Sequence, residues 1–130
     1  MKVLPDSSIW IPFLRDPETE IGEELTRLLR RKAVLVCGPV LAELVAGAPD
    51  AEQAELWLAI GHLPWADLDH EAWREIGEVG HLLRRHGQWV PQTDVAIAVA
   101  GVRADAAVWT RDQDFRQIQQ ALPALGLYAP

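Results

Sequence analysis

One cysteine, Cys37, excludes any disulfide within the chain. It lies in the apolar run 33–37, so a buried, inert thiol is expected rather than a nucleophile. The four histidines, His62, His70, His81 and His86, keep no metal-ligand spacing with it, which excludes a zinc site; His81 and His86 read as helix surface. Lysine is nearly absent, with Lys2 and Lys32 alone. No apolar run approaches the ~20 residues that span a bilayer. Met1-Lys2-Val3-Leu4-Pro5 is strand-like and lacks the longer apolar region and cleavage site of a signal peptide, so a cytoplasmic protein with no membrane role is expected. Cations are outnumbered, 12 against 19 acids, for a net charge of −7. That excludes a protein that coats nucleic acid by bulk electrostatics. It does not exclude a nuclease, whose metal-holding carboxylates add negative charge that the cation neutralises. Internal repeats, low-complexity tracts and linkers are also missing, and a single domain over residues 1–130 is expected.

What the chain does have is apolar mass and tryptophan. Hydrophobic residues make up 49%, enough for a packed core. Six tryptophans, Trp10, Trp57, Trp65, Trp73, Trp89 and Trp109, are many for this length, and both cores and interfaces use them. Residues 2–4 read as a strand ended by Pro5 and Asp6. A serine-capped helix follows from Ser7, with Pro12 in its first turn or else shortening or bending it. Asp16-Pro17 predicts a second helix, with Ile21, Leu25, Leu28 and Leu29 at helical spacing and Arg30-Arg31-Lys32 at its C-terminus, where cations suit the dipole. The run 33–37 predicts a strand buried on both faces. Gly38-Pro39 opens a helix that Gly47 and Pro49 stop.

Asp50 with Gln53 predicts a capping box for a helix whose apolar face holds Ala54, Trp57, Leu58 and Ile60. Residues 62–65 form a weak strand or connector. Asp69 predicts the cap of a longer helix with Ala72, Trp73, Ile76, Val79, Leu82 and Leu83 inward, and Gly87 as its C-cap residue. Residues 88–92 form a loop whose Trp89 either stacks on a base or packs. Thr93 reads as the cap of an apolar helix that carries Asp94. Residues 106–109 are a short strand, followed by a helix through Phe115, Ile118 and Leu122 and a last strand over 125–128. The alternation predicts an α/β fold with a mostly parallel central sheet and helices on both faces.

The strand at 106–109 runs straight into Thr110-Arg111-Asp112-Gln113-Asp114-Phe115. Acids at that place face the crevice outside the carboxyl ends of the strands, where ligands bind in open parallel sheets. Other acids share the placement: Asp6 after the first strand, Asp94 at a helix start, and Glu43 early in the helix after the second strand. Alone, each has a structural explanation: Asp6 and Asp94 as first-turn helix chemistry, Glu43 on an exposed stripe. Together they would repel and raise one another's pKa unless a cation held them ionised. With no cysteine or histidine partners, that cation is hard, Mg2+ or Mn2+. Such a site activates water and braces the leaving oxygen of a phosphodiester.

Asp6-Ser7-Ser8, Glu43-Leu44-Val45-Ala46-Gly47, Asp94 with Ile97-Ala98, and Thr110-Arg111-Asp112-Gln113-Asp114-Phe115 resemble the motifs of PIN-domain ribonucleases, most closely VapC-type toxins of toxin–antitoxin pairs. The resemblance covers essentially the whole chain. It implies a three-layer α/β/α fold and a Mg2+-dependent endoribonuclease, with Mn2+ able to substitute, that cleaves structured RNA such as tRNA or rRNA by metal-activated water. It also implies a VapB-type antitoxin and a homodimer. Residue by residue it makes Asp6, Glu43, Asp94 and Asp112 the catalytic, metal-binding acids and Asp114 an outer or alternate one. Ser8 and Thr110 match supporting hydroxyls. Pro5, Pro12 and Ser7 depart from the usual pattern without removing an acid. Arg111 is the first choice for RNA phosphate, with Arg84 and Arg85 behind it. Trp10, Trp57 and the helix at 40–45 are candidates for an antitoxin groove.

Three rivals stand beside this reading: a PIN nuclease that processes RNA without an antitoxin, a catalytically silent interaction module, and a receiver-like phosphotransferase. The last needs Asp-x-Asp after the first strand or a lysine near the acids, and the chain has neither.

Overall fold

The computed structural model describes all 130 residues. Strand β1 (Lys2–Pro5) pairs in parallel with β2 (Ala106–Trp109), Lys2 opposite Ala106 and Pro5 opposite Trp109. Pro5 has no N–H for the ladder, so it is tolerated only at the strand end; the next residue resumes the pairing, with Asp6 N donating to the Trp109 carbonyl at 3.0 Å. Single parallel bridges widen this pair on both sides: Val3 to Val34, Val36 to Trp65, and Val108 to Leu127. The segments expected as strands over 33–37 and 125–128 therefore pair at single bridges rather than along full ladders. Their backbone groups are still satisfied: Leu35 N donates to Val3 O at 2.9 Å and Tyr128 N to Val108 O at 2.8 Å.

Helix α1 (Ser7–Arg15) is capped by Asp6 rather than by a serine. Pro12 lies beyond the first turn, yet the helix runs on to Arg15. Helix α2 (Glu20–Arg30) starts at a Thr19 cap, not at Asp16-Pro17. Asp16 instead closes α1 and turns its Oδ1 to Glu18 N at 3.0 Å, a local turn that competes with helix. Helix α3 (Gly38–Gly47) follows the expected Gly38-Pro39 entry. The capping box at Asp50 does not form: residues Asp50–Glu52 make a 3-10 turn and α4 (Gln53–Gly61) has no side-chain cap. Nor is the apolar face of α4 inward. Only Ile60 is buried, while Trp57 is 51% and Leu58 72% exposed.

Helix α5 (His70–Arg85) has its Asp69 cap, with Ala72 N at 2.9 Å, and ends at Gly87 with φ +74°. Ala72, Ile76, Val79 and Leu83 face the core, but Trp73 points out. Helix α6 (Gln92–Arg103) is buried at every residue from Val95 to Gly101. Its cap residue is Pro91, not Thr93, and Asp94 N donates to the Pro91 carbonyl at 3.0 Å. Close packing sets this start. A Cβ on Gly80 of α5 would strike the Gln92 amide, and one on Gly101 would stand 2.7 Å from Val108 Cγ2. Helix α7 (Asp114–Ala121) completes the chain of elements.

Helices α1–α4 form one contiguous set and α5–α7 another, with α6 touching both β2 and α3. The parallel sheet lies between them, as the α/β reading expects. No helix is long and apolar enough to cross a membrane.

Candidate metal centre

The core is apolar apart from one carboxylate. Asp6 is 4% exposed, the only charged side chain buried. Its Oδ1 accepts from Ser8 N at 3.0 Å and Ser8 Oγ at 2.5 Å, and its Oδ2 accepts from Thr110 Oγ1 at 2.5 Å. Each hydroxyl also accepts a backbone N–H: Arg111 N to Ser8 Oγ and Asp112 N to Thr110 Oγ1, both at 2.9 Å. Asp6 thus caps α1 and also ties the end of β1 to the loop after β2. Capping α1 occupies Oδ1 and leaves Oδ2 to bond Thr110 across the sheet.

That loop carries the next acids. Asp112 Oδ1 accepts Asp114 N at 2.9 Å, which fixes the turn into α7. Asp94, in the first turn of α6, faces the loop. Asp94, Asp112 and Asp114 each offer a carboxylate oxygen, and the three atoms lie within 4.8 Å of one another. Asp114, expected as an outer or alternate acid, belongs to this close group. Asp6, with both oxygens engaged, and Glu43 on α3 are outside this group of three but close enough for their charges to act on Asp94.

The electrostatics tie all five together. Burial pushes the Asp94 carboxyl up to about 7, and the charges of Asp112, Asp6, Glu43 and Asp114 push the same way. Burial also raises Asp6, opposed by the Ser8 and Thr110 hydrogen bonds and assisted by Asp112. Glu43 is raised by partial desolvation and then by the Asp6 charge, opposed by the Ser7 hydroxyl. No arginine neutralises the group: the ion pairs of the chain join Arg27 to Glu24 and Arg103 to Asp69 and Glu75. Oxygen donors only, converging and unneutralised, fit a hard divalent cation of the Mg2+ or Mn2+ kind.

Other expected residues divide. Arg111 is exposed and its main chain, not its guanidinium, joins the network, which leaves the cation facing solvent. Trp10 is 2% exposed and so cannot line a groove, and Val40 and Leu41 are core as well; from the same helix, Glu43 and Leu44 reach a cleft. Burial raises the Cys37 thiol to about 11, consistent with an inert role. Two features lie outside the motif pattern. The Ser7 hydroxyl faces Glu43. A cleft of about 480 Å³ opens between α1, α3 and α4, lined by Ile11, Leu14, Leu44 and Leu56 with Glu43 and Glu55 at its edge. The signal for it was available: Ile11 and Leu14 are large, apolar and spaced for one helix face.

Comparison with known proteins identifies the family and the fold. The family model described as "PIN domain" matches residues 3–121. A VapC ribonuclease of Mycobacterium bovis is 29% identical over 118 residues, covering 87% of this chain and 88% of that protein. Ribonuclease VapC11 of Mycobacterium tuberculosis matches to the same extent. Among solved structures, VapBC2 from Rickettsia felis bound to a promoter DNA fragment superposes with a TM-score of 0.78 at 22% identity, over 98% of both chains. DNA-bound VapBC from Salmonella typhimurium gives 0.76 at 22% identity, over 98% of this chain and 97% of that one.

Proposed function

The chain belongs to the PIN-domain family, and on that premise we propose that it is a divalent-metal-dependent endoribonuclease, the toxin of a VapBC-type toxin–antitoxin pair, acting on structured RNA such as tRNA or rRNA. The observation that carries this reading is the convergence of Asp94, Asp112 and Asp114, joined electrostatically by the buried Asp6. Asp94, Asp112 and Asp114 would hold Mg2+ or Mn2+, with Glu43 and Asp6 adding negative potential. When bound, such an ion lowers the pKa of water and stabilises charge on the oxygens of a phosphodiester.

The rest is the work of this chain's own side chains. Asp6 with Ser8 and Thr110 holds the 111–114 loop, so the acids are positioned before substrate arrives. Glu43, raised in pKa and beside the acid group, is the side chain suited to carry a proton at the edge of the site. Arg111 supplies a free guanidinium for a substrate phosphate in a chain whose net charge is −7. The antitoxin would lay an amphipathic segment in the α1–α3–α4 cleft, apolar side chains against Ile11 and Leu14 and a cation toward Glu43 and Glu55. A homodimer has the exposed Trp57, Leu58 and Trp73 to draw on.

The test is incubation of total cellular RNA with purified, antitoxin-free protein in Mg2+, in Mn2+ and in EDTA. Discrete fragments with 5′-phosphate and 3′-hydroxyl ends, absent in EDTA, are expected. RNA left intact in every condition rejects the reading, and cyclic phosphate ends reject a water nucleophile.

A further inference from the structure

Trp89 is the most exposed of the six tryptophans, at 75%. A single exposed apolar side chain needs no function. Its setting is what distinguishes this one. The loop around it is pinned: Gln88 N donates to Leu83 O at 2.9 Å, Gln88 Nε2 to Gln120 Oε1 at 3.1 Å, and Val90 is buried. The ring is therefore held outward by an anchored backbone. The Arg84 guanidinium lies over the ring, 5.1 Å from its centroid. That contact orients the indole and leaves its other face open.

The neighbourhood is cationic within an acidic protein. Arg84 and Arg85 end α5, and neither joins an ion pair. The loop also leads directly to the acid crevice. Trp89 precedes Pro91 by two residues, at most ~7 Å of extended chain, and the Pro91 carbonyl accepts Asp94 N.

We propose that Trp89, backed by Arg84, is a stacking platform for an unpaired base of the RNA beside the acid crevice. The protein then selects a single-stranded segment, a loop or bulge, next to the cut. Aromatic faces and arginine planes bind splayed bases of any identity, whereas a paired base has no free face to offer. This inference rests on the ribonuclease reading.

The experiment uses an Asp94→Asn parent, so that RNA stays intact, and reads binding by fluorescence anisotropy. The probes are oligo(A) and oligo(U) of about 12 nucleotides and a duplex of the same length, within the range of single-strand site sizes. Adding Trp89→Ala should weaken single-strand binding roughly 5- to 100-fold, while Trp89→Phe keeps most of it. Arg84→Gln, which frees the ring, should weaken single-strand binding by less than Trp89→Ala does. Duplex binding should not respond to Trp89→Ala. Unchanged single-strand affinity in Trp89→Ala overturns the platform, as does a parent that binds neither oligomer. So does an equal loss on duplex, or a loss confined to a co-purifying protein partner. Thermal melts followed by circular dichroism confirm that each variant is folded. The wild type's metal-dependent cleavage is scored separately. Cleavage with unchanged Trp89→Ala affinity rejects the platform alone, whereas absent cleavage rejects the ribonuclease.

Discussion

Thr110→Val deletes one hydroxyl and keeps the side-chain shape. That hydroxyl donates to Asp6 Oδ2 at 2.5 Å and accepts Asp112 N at 2.9 Å. The Asp112 amide is on an exposed residue and can turn to solvent; Asp6, at 4% exposure, cannot. A hydrogen bond to a charged group is worth about 1.5–3 kcal/mol, so the variant should lose ~2–3 kcal/mol when Asp6 is ionised. The pH dependence follows from the sign. Thr110 opposes the burial that raises Asp6 above its ordinary 3.8, so its removal raises the folded pKa further. An acid with a raised folded pKa destabilises the protein as pH climbs from the unfolded value to the folded one, and the full penalty persists above. The deficit relative to wild type should therefore be smallest near the ordinary carboxylate value and grow as pH rises above it. Urea unfolding in EDTA over that rise in pH measures it, with Thr110→Ser as the control that keeps the hydroxyl and loses less than ~1 kcal/mol. A deficit that does not vary with pH, or one as large in Thr110→Ser, refutes the reasoning.

Three further outcomes follow. Because Asp94 is raised from 3.8 to about 7, the metal-free protein should lose stability as pH rises from ~4 to ~7. The full shift corresponds to ~4 kcal/mol, and solvent screening of this half-buried group leaves ~1–2 kcal/mol. Thermal unfolding should show that loss in EDTA and a flat profile in saturating Mn2+; an unchanged slope with metal counts against the site. Gly101→Ala gains helix propensity of ~1 kcal/mol but drives a methyl to 2.7 Å from Val108 Cγ2, an overpacking of ~1–3 kcal/mol, so chemical denaturation should report a net loss of up to ~2 kcal/mol. Leu14→Glu, on the exposed wall of the α1–α3–α4 cleft, should alter the isolated fold by less than ~0.5 kcal/mol yet weaken capture of a cognate antitoxin at least tenfold, read by calorimetry on the purified pair. Undiminished binding would move the partner elsewhere.

The acid crevice was legible because its chemistry is local to chain switches. Apolar residues 106–109 followed at once by Asp112 and Asp114, and residues 2–4 followed by Asp6, mark strand ends whatever the tertiary detail. What the chain order could not reveal was which acids meet. Asp114 reaches Asp94 only because α6 and α7 pack together, and the hydroxyls of Ser8 and Thr110 bond to one carboxylate only because β1 and β2 are in register. Helix starts slipped for a related reason. Asp16 and Thr93 are good cap residues by composition, but Asp16 makes a local turn and the Gln92 amide packs against Gly80, which moves each start. Trp57 and Trp73 fit a helical apolar stripe, but periodicity only groups residues on a face. It does not say whether this chain or another molecule covers it.

On the proposed function, the three converging carboxylates hold the ion on which RNA cleavage depends. Asp112→Asn tests this most directly, because Asp112 is exposed, lies in a loop outside the helices and strands, and retains an oxygen for Asp114 N. Initial rates on total RNA in Mn2+ should fall at least ~100-fold, as for loss of a principal electrostatic group, with the melting curve little changed. A folded Asp112→Asn protein that cleaves at the wild-type rate would contradict the assignment of the site.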